Sequence, residues 1–447
     1  MGISYNATGG VLGCLALLPS VGPSPSTAET MMTLLQENAM TMTRTSTVTI
    51  ATLGLLLTPV VAGAADWPCW RGPQRNGQSP DTGLLKAWPA GGPKLLWKVE
   101  TLGSGFSTVS VAGGTIYASG DASGNLCVFA FDMDGKEKWK VSPDKAWTRD
   151  HPGSRSTPTI DGDRLYILSG NGVLACLKTA DGSKVWSKSL ADLGGRPGGW
   201  GYAESVLVLG DLAIAKPGGE NCIVAFNKNN GEIVWKSTGF TAGPEYGSCV
   251  PFTHDGVDMI ATGTRGGIVA VVAGTGKVLW SNPWCKDNVA NCPDPQYADG
   301  RVFWANGYNK GGICLTLSVS GDTVAAEQAW TTRNMVCHHG GYVIIDGHIY
   351  GNHSSGWSCL DLKTGQVKWN ERAVGKGSCT WADGMLYLFG ENGGKAALAA
   401  CSPEGLKVTG EVTVQGRGPS WAHPVVIGGR LYLRYDTNLY CFDVKAP

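Results

Sequence analysis

The chain has 447 residues, with 36 Lys plus Arg balanced by 36 Asp plus Glu and no long basic run, which argues against nucleic acid or an anionic membrane surface as its main partner. Gly (65) and Trp (17) are abundant and long amphipathic helical patterns are absent, so short strands joined by tight turns are the natural reading. A body of this size buries roughly three quarters of its unfolded surface, so its 14 Cys need not form a disulfide scaffold.

From the N-terminus, residues 1–39 contain no Lys or Arg. Arg44 precedes a mildly apolar run, Thr47 to Val61, which leads into Ala62-Gly63-Ala64-Ala65. A basic start, an apolar middle and a small-residue exit predict a secretory signal peptide over about 42–65, with Met40 and Met42 as natural starts. The run is too short and Thr-rich for a membrane span of ~20 residues. Cleavage after Ala64 or Ala65 leaves a mature chain that begins at Asp66, has no transmembrane span and is exported to the periplasm or cell surface. Residues 66–90 read as an arm containing Trp67, Trp70 and Arg71, which either covers apolar surface of the folded body or docks a partner.

Residues 91–447 carry a repeat. Asp-Gly is followed by a pair such as Leu-Tyr, a turn, an apolar strand, Asp-x-x-Thr/Asp-Gly and then Trp, as in Asp161-Gly162, Leu165-Tyr166, Asp181-Gly182, Trp186. The Gly-containing turns need positive φ, so each copy reads as four short strands joined by hairpins. The marker recurs at Tyr117, Tyr166, Ile214, Ile260, Phe303, Tyr350, Tyr387 and Tyr432, which makes eight units of ~45 residues, the length of a four-stranded propeller blade. The last unit stops at Leu439 to Asp443 without a Trp strand. Lys94 to Lys98, with Trp97, supplies it and closes the ring without an open edge. The expected fold is therefore an all-β, eight-bladed propeller of four-stranded antiparallel blades. The seventh unit lacks its Trp, and Val412 is expected at that position. Cys176, Cys359 and Cys441 share one phase and read as small buried strand residues, whereas Cys285 and Cys292 are placed for a local bridge.

The Trp-ended, Thr-Gly-turned repeat resembles the pyrroloquinoline-quinone (PQQ)-like repeat, shared by quinoprotein alcohol dehydrogenases and by the non-enzymatic outer-membrane assembly factor propeller. Asp66-Trp67-Pro68-Cys69-Trp70-Arg71-Gly72-Pro73, Arg155-Ser156-Thr157-Pro158, His338-His339-Gly340-Gly341 and Ser420-Trp421-Ala422-His423-Pro424 extend that resemblance to bacterial quinone-binding-like propellers. In the dehydrogenases a disulfide of adjacent Cys and a calcium ion held by Glu, Asn and Asp support the quinone. This chain has no adjacent Cys pair, no matching calcium set and no Cys-x-x-Cys-His for heme, so no cofactor is expected, PQQ with calcium being the alternative. His338 and His339, if on a strand, point to opposite faces and cannot easily share one ion, so no metal site is expected.

In a propeller, residues at one phase of the repeat lie on one ring around the axis. Read at the start of the innermost strands, Arg155, Glu204, His339, Lys376, Trp421 and His423 come from five blades and converge on one mouth. They are candidates for binding a small anionic or polar ligand, with Arg155 and Lys376 as the cationic pair. The functional expectation is a non-catalytic binding or assembly scaffold for proteins or other components of the cell envelope. The alternative is a quinoprotein-like oxidoreductase or sugar-active enzyme using that mouth.

Overall fold

The structure, a computed structural model, describes residues 66–339 and 341–447, and the signal-peptide reading lies outside them. Described residues form eight antiparallel four-stranded sheets, one of which gains a short fifth strand. Blade 1 runs from its inner strand Ser110–Ala112 to its outer strand Glu137–Lys145, blade 2 from Thr159–Asp161 to Lys184–Ser189, and blade 3 from Leu207–Leu209 to Ile233–Lys236. Blade 4 runs from Val250–His254 to Val278–Asn282, blade 5 from Gln296–Ala298 to Thr323–Thr332, blade 6 from Tyr342–Ile345 to Val367–Glu371, and blade 7 from Gly377–Ala382 to Lys407–Thr413. Blade 8 combines Val425–Ile427, Arg430–Tyr435 and Asn438–Asp443 with the N-terminal strand Lys94–Val99, in which Trp97 pairs with Cys441. All eight repeat markers lie on second strands. Among the described residues, no helix is long and apolar enough to cross a membrane.

Blades are joined by tryptophan. Trp97 lies against Gly135 of blade 1, Trp139 against Gly182 of blade 2, Trp186 against Gly231 of blade 3, Trp235 against Gly276 of blade 4 and Trp330 against Gly365 of blade 6. A Cβ on Gly231 would fall 2.8 Å from the Trp186 ring, and its φ of +72° already excludes most side chains. Indole Nε1 groups complete the joint, Trp97 donating to Met133 O (2.9 Å), Trp139 to Thr179 O (3.0 Å) and Trp186 to Lys228 O (2.9 Å). Apolar area and a satisfied N–H thus come from one residue.

Blade 7 departs from the expectation. Gly410, not Val412, occupies the Trp register: it pairs with Leu398 as Trp369 pairs with Cys359. The indole comes from the arm instead. Trp88 N donates to Thr409 O, and a Cβ on Gly410 would fall 2.4 Å from Trp88 Cβ. The Trp88 ring lies 6.1 Å from Tyr387 at 55°, matching Trp97 against Tyr432 at 6.1 Å and 55°.

The arm contacts every blade. Trp67 bridges to Val111 of blade 1, and Pro68 O accepts from Ile160 N of blade 2 (2.8 Å). The Arg75 guanidinium donates to Ser205 O and Val206 O of blade 3 and to Cys249 O of blade 4. Arg75 O accepts from Gln296 of blade 5, and Arg71 donates to Tyr342 O of blade 6 (2.6 Å). Gln78–Ser79 runs parallel to Trp381 and Ala382 of blade 7, and Asp81 accepts from Gly429 N of blade 8. Trp67, Arg71 and Arg75 are buried. The partner-docking alternative is corrected for Trp67 and Arg71, whose buried side chains offer no docking surface. Three backbone carbonyls, of Ser205, Val206 and Cys249, satisfy the buried Arg75 guanidinium.

Among the described residues thirteen cysteines are free thiols, Cys285 and Cys292 included, so the expected local bridge is absent. Cys285 Sγ instead contacts the buried Asn291 Oδ1 at 3.1 Å. Cys176, Cys359 and Cys441 are buried, each opposite a Trp across its sheet.

Two consequences are measurable. Trp88→Ala is expected to cost ~3–5 kcal/mol, as removal of Trp186 would. A chemical-denaturation loss of only ~0.5 kcal/mol, the level of an ordinary surface change, would contradict the borrowed-indole assignment. Glu245, whose Oε2 accepts from Asn291 N at 3.0 Å, has its carboxyl pushed up to about 6 by burial. Between the ordinary glutamate value and 6 the folded state holds a proton that the unfolded state has lost, so this group makes stability fall as pH rises through that window. Glu245→Gln keeps an acceptor for Asn291 and should be more stable than wild type at pH 7 by ~1 kcal/mol. The difference should vanish below pH ~4.5, close to the unperturbed glutamate value.

Candidate axial binding site

Loops that carry the chain from the outer strand of one blade to the inner strand of the next are long here, and they border a cavity of about 260 Å³ at one mouth of the ring. Most inner strands begin later than the sequence reading places them. Arg155 precedes Thr159–Asp161 and Trp421 precedes Val425–Ile427 by four residues, so both lie on loops with room to turn inward.

The rim is a nearly continuous horseshoe of rings. Tyr246 contacts Trp200 (5.4 Å between centroids), Trp200 contacts His151 (5.9 Å), and His151 contacts Trp421 (5.2 Å). Trp421 contacts His339 (5.3 Å), His339 contacts His338 (4.3 Å), and His338 contacts Tyr308 (4.9 Å). Phe106 packs against Trp421, tilted by 36° with the centroids 4.4 Å apart. Trp70 of the arm also lines the cavity, and its Nε1 donates to Asp294 Oδ2 at 2.6 Å. The other Asp294 oxygen accepts from Ser248 N.

Of the sequence candidates, Arg155, His339, Trp421 and Trp70 line this cavity. Arg155 lies over the Phe106 ring at 5.6 Å and donates to Gly153 O, Asp150 O and His151 O. Burial pulls it down to about 10, which leaves it charged at neutral pH. These carbonyl partners fix the guanidinium without cancelling its charge. His423 lies deeper, its ring 4.5 Å from Trp70 and its Nε2 2.8 Å from His339 O. Glu204 is buried, with Oε1 accepting from Lys216 N. Neither His423 nor Glu204 lines the cavity.

Lys376 is not the partner of Arg155. Its Nζ lies 2.6 Å from Glu391 Oε2 and 3.2 Å from His338 Nδ1. Glu391 Oε1 accepts from Trp421 Nε1 (2.7 Å) and lies 3.4 Å from His339 Nε2. The strand argument separating His338 from His339 also fails. The chain bends there, outside any strand, and both imidazoles share one small space with Glu391. Burial pushes His338 down to about 3 and His339 well below its ordinary value, so both rings are neutral at pH 7. Burial raises the Cys292 thiol, so no thiolate lines the cavity at neutral pH.

Sequence reasoning missed Trp200, Tyr246, Tyr308, His151 and Glu391. Trp200 lies in the Gly-rich stretch Arg196 to Gly201, outside the repeat phrase. A Trp in a Gly-rich loop, with no strand face to cover, was the available signal for Trp200. Glu391 sits in the Gly-rich hairpin of blade 7 and carried no comparable mark.

Comparison with known proteins fits this geometry into a family. The crystal structure of BamB from Moraxella catarrhalis superposes with a TM-score of 0.58 at 15% identity, over 78% of this chain and 97% of that one. Quinohemoprotein alcohol dehydrogenase from Comamonas testosteroni gives 0.58 at 14% identity, over 86% and 82%. At such identities these likenesses show the fold alone. Tetrathionate hydrolase from Acidithiobacillus ferrooxidans is 26% identical over 299 residues, covering 61% of this chain and 54% of that protein, so the chain spans about half the length of that relative. The family model described as outer membrane protein assembly factor BamB matches residues 127–371, more than half of the sequence. The chain belongs to this BamB-type family of PQQ-like repeat β-propellers.

Proposed function

We propose that this protein is an exported, non-catalytic binding propeller of the cell envelope whose axial pocket captures a small molecule with a flat or apolar body and an anionic end. The observation that carries this reading is the horseshoe of aromatic rings with the charged Arg155 on its wall. Ligand sites combine apolar, aromatic walls with a few placed polar groups, and this cavity has that composition. The family description supports a role alongside envelope proteins, for which the outer faces of the ring are available. Fold likeness alone does not assign the quinone chemistry of the dehydrogenases.

A second reading has one observation in its favour. The curated relative is named for tetrathionate, a short sulfur chain ending in two sulfonates, which is a small anion with an apolar middle. In that case the same pocket would turn its ligand over instead of holding it.

Protein purified from its native envelope should retain a small molecule detectable by native mass spectrometry. Trp421→Ala and Trp200→Ala should weaken its calorimetric affinity at least tenfold, the size of one lost ring contact of ~1.4 kcal/mol. Arg155→Ala should weaken an anionic ligand more than its neutral isostere. An unchanged affinity in all three variants would sink the pocket assignment. Release of thiosulfate or sulfate from tetrathionate by wild type would favour the hydrolytic reading.

A further inference from the structure

We propose that His338, His339 and Glu391 form a binding site for a single borderline divalent cation, best suited to Zn²⁺, with its open coordination position toward the axial pocket. Each residue offers one ligand atom, and the three atoms lie within 4.8 Å of one another. The set of two imidazoles and one carboxylate is that of zinc sites which keep a fourth position for water or ligand. Zinc draws N and O ligands to ~2.0–2.2 Å, so the side chains would need to close by roughly an ångström.

A second observation points the same way. His339 has a side chain only 9% exposed, yet neither ring nitrogen has a hydrogen-bond partner. A buried polar group left unmet is costly, and an ion between His339 and Glu391 would satisfy one of these nitrogens. His338 and His339 also line the cavity, so an ion there would add a positive charge to the same wall as Arg155.

Lys376 sets the terms of occupancy. Its ammonium contacts two of the three ligands, Glu391 at 2.6 Å and His338 at 3.2 Å. It therefore occupies a cation's place, and an incoming metal must displace it. The side chain is 32% exposed, so it has an outward path. The site thus exchanges one cation for another, with Lys376 as the competitor.

The test uses tag-free mature protein stripped with a chelator, because a polyhistidine tag would bring its own ligands. Titration with Co²⁺ reports N/O coordination by its visible absorption, and competition with Zn²⁺ gives relative affinity. No pocket ligand is present, so the outcome is independent of the ligand-binding reading. Wild type is expected to take one equivalent, Glu391→Gln and His339→Ala to bind at least tenfold more weakly, and Lys376→Met at least tenfold more tightly. His348, half-buried on the second strand of blade 6, serves as control, and His348→Ala should change nothing. If His339→Ala does not fold by circular dichroism, Glu391→Gln and Lys376→Met still decide. The proposal is overturned if Lys376→Met shows no saturation below about 1 mM, an affinity too weak for a built site. Equal binding by wild type and Glu391→Gln overturns it as well.

Discussion

The ring is held by one recurring contact, an indole laid on the glycine of the next blade's turn. A four-stranded blade has two apolar faces and cannot bury either one alone. In blades 1, 2, 3, 5 and 8 the Trp of the outer strand reaches sideways and covers the neighbour's turn, and Trp97, Trp139 and Trp186 also donate their N–H to that turn's carbonyl. The Gly serves twice, accepting positive φ and leaving space for the ring. Sheets that meet face to face in this way form a circle, and a circle leaves an axis around which loops can gather.

The arm completes what the repeat leaves unfinished. Blade 8 takes its outer strand from Lys94–Val99, and blade 7 takes its indole from Trp88. Arg75 is buried against carbonyls at the entries to blades 3 and 4. The arm also brings Trp70 to the cavity wall. The cavity wall and the closure of the ring thus draw on the same short segment, and Trp70 ties it to Asp294 of the loop entering blade 5.

The fold was legible because its signals are local: Asp-Gly and Thr-Gly turns, a Trp at fixed phase and a missing strand at one end reappearing at the other. Val412 was misplaced because the replacement for the absent Trp comes from a segment distant in sequence, which no period encodes. Phase reasoning brought Arg155, His339 and Trp421 to one mouth because position in the repeat maps onto distance from the axis. It misplaced Lys376 as a ligand cation because its partner, Glu391, lies on a hairpin at a different phase. Trp200 and Tyr246 escaped because they sit on loops of unequal length, where register with the repeat is lost. Buried pairings such as Glu204 with Lys216 depend on tertiary placement that a sequence period does not record.

An arm that touches all eight blades also governs the order of assembly. Lys94–Val99 is made before the four antiparallel strands of each of blades 1 to 7, yet its partner Asn438–Asp443 is the last strand in the described chain, so this pairing spans nearly the whole ring. Contacts so remote in sequence form slowly, and until they form blades 7 and 8 are incomplete and an outer strand edge is bare. The earliest segment is therefore a latecomer to the native state. Until it docks, the open edge of blade 8 is a template on which another chain can pair.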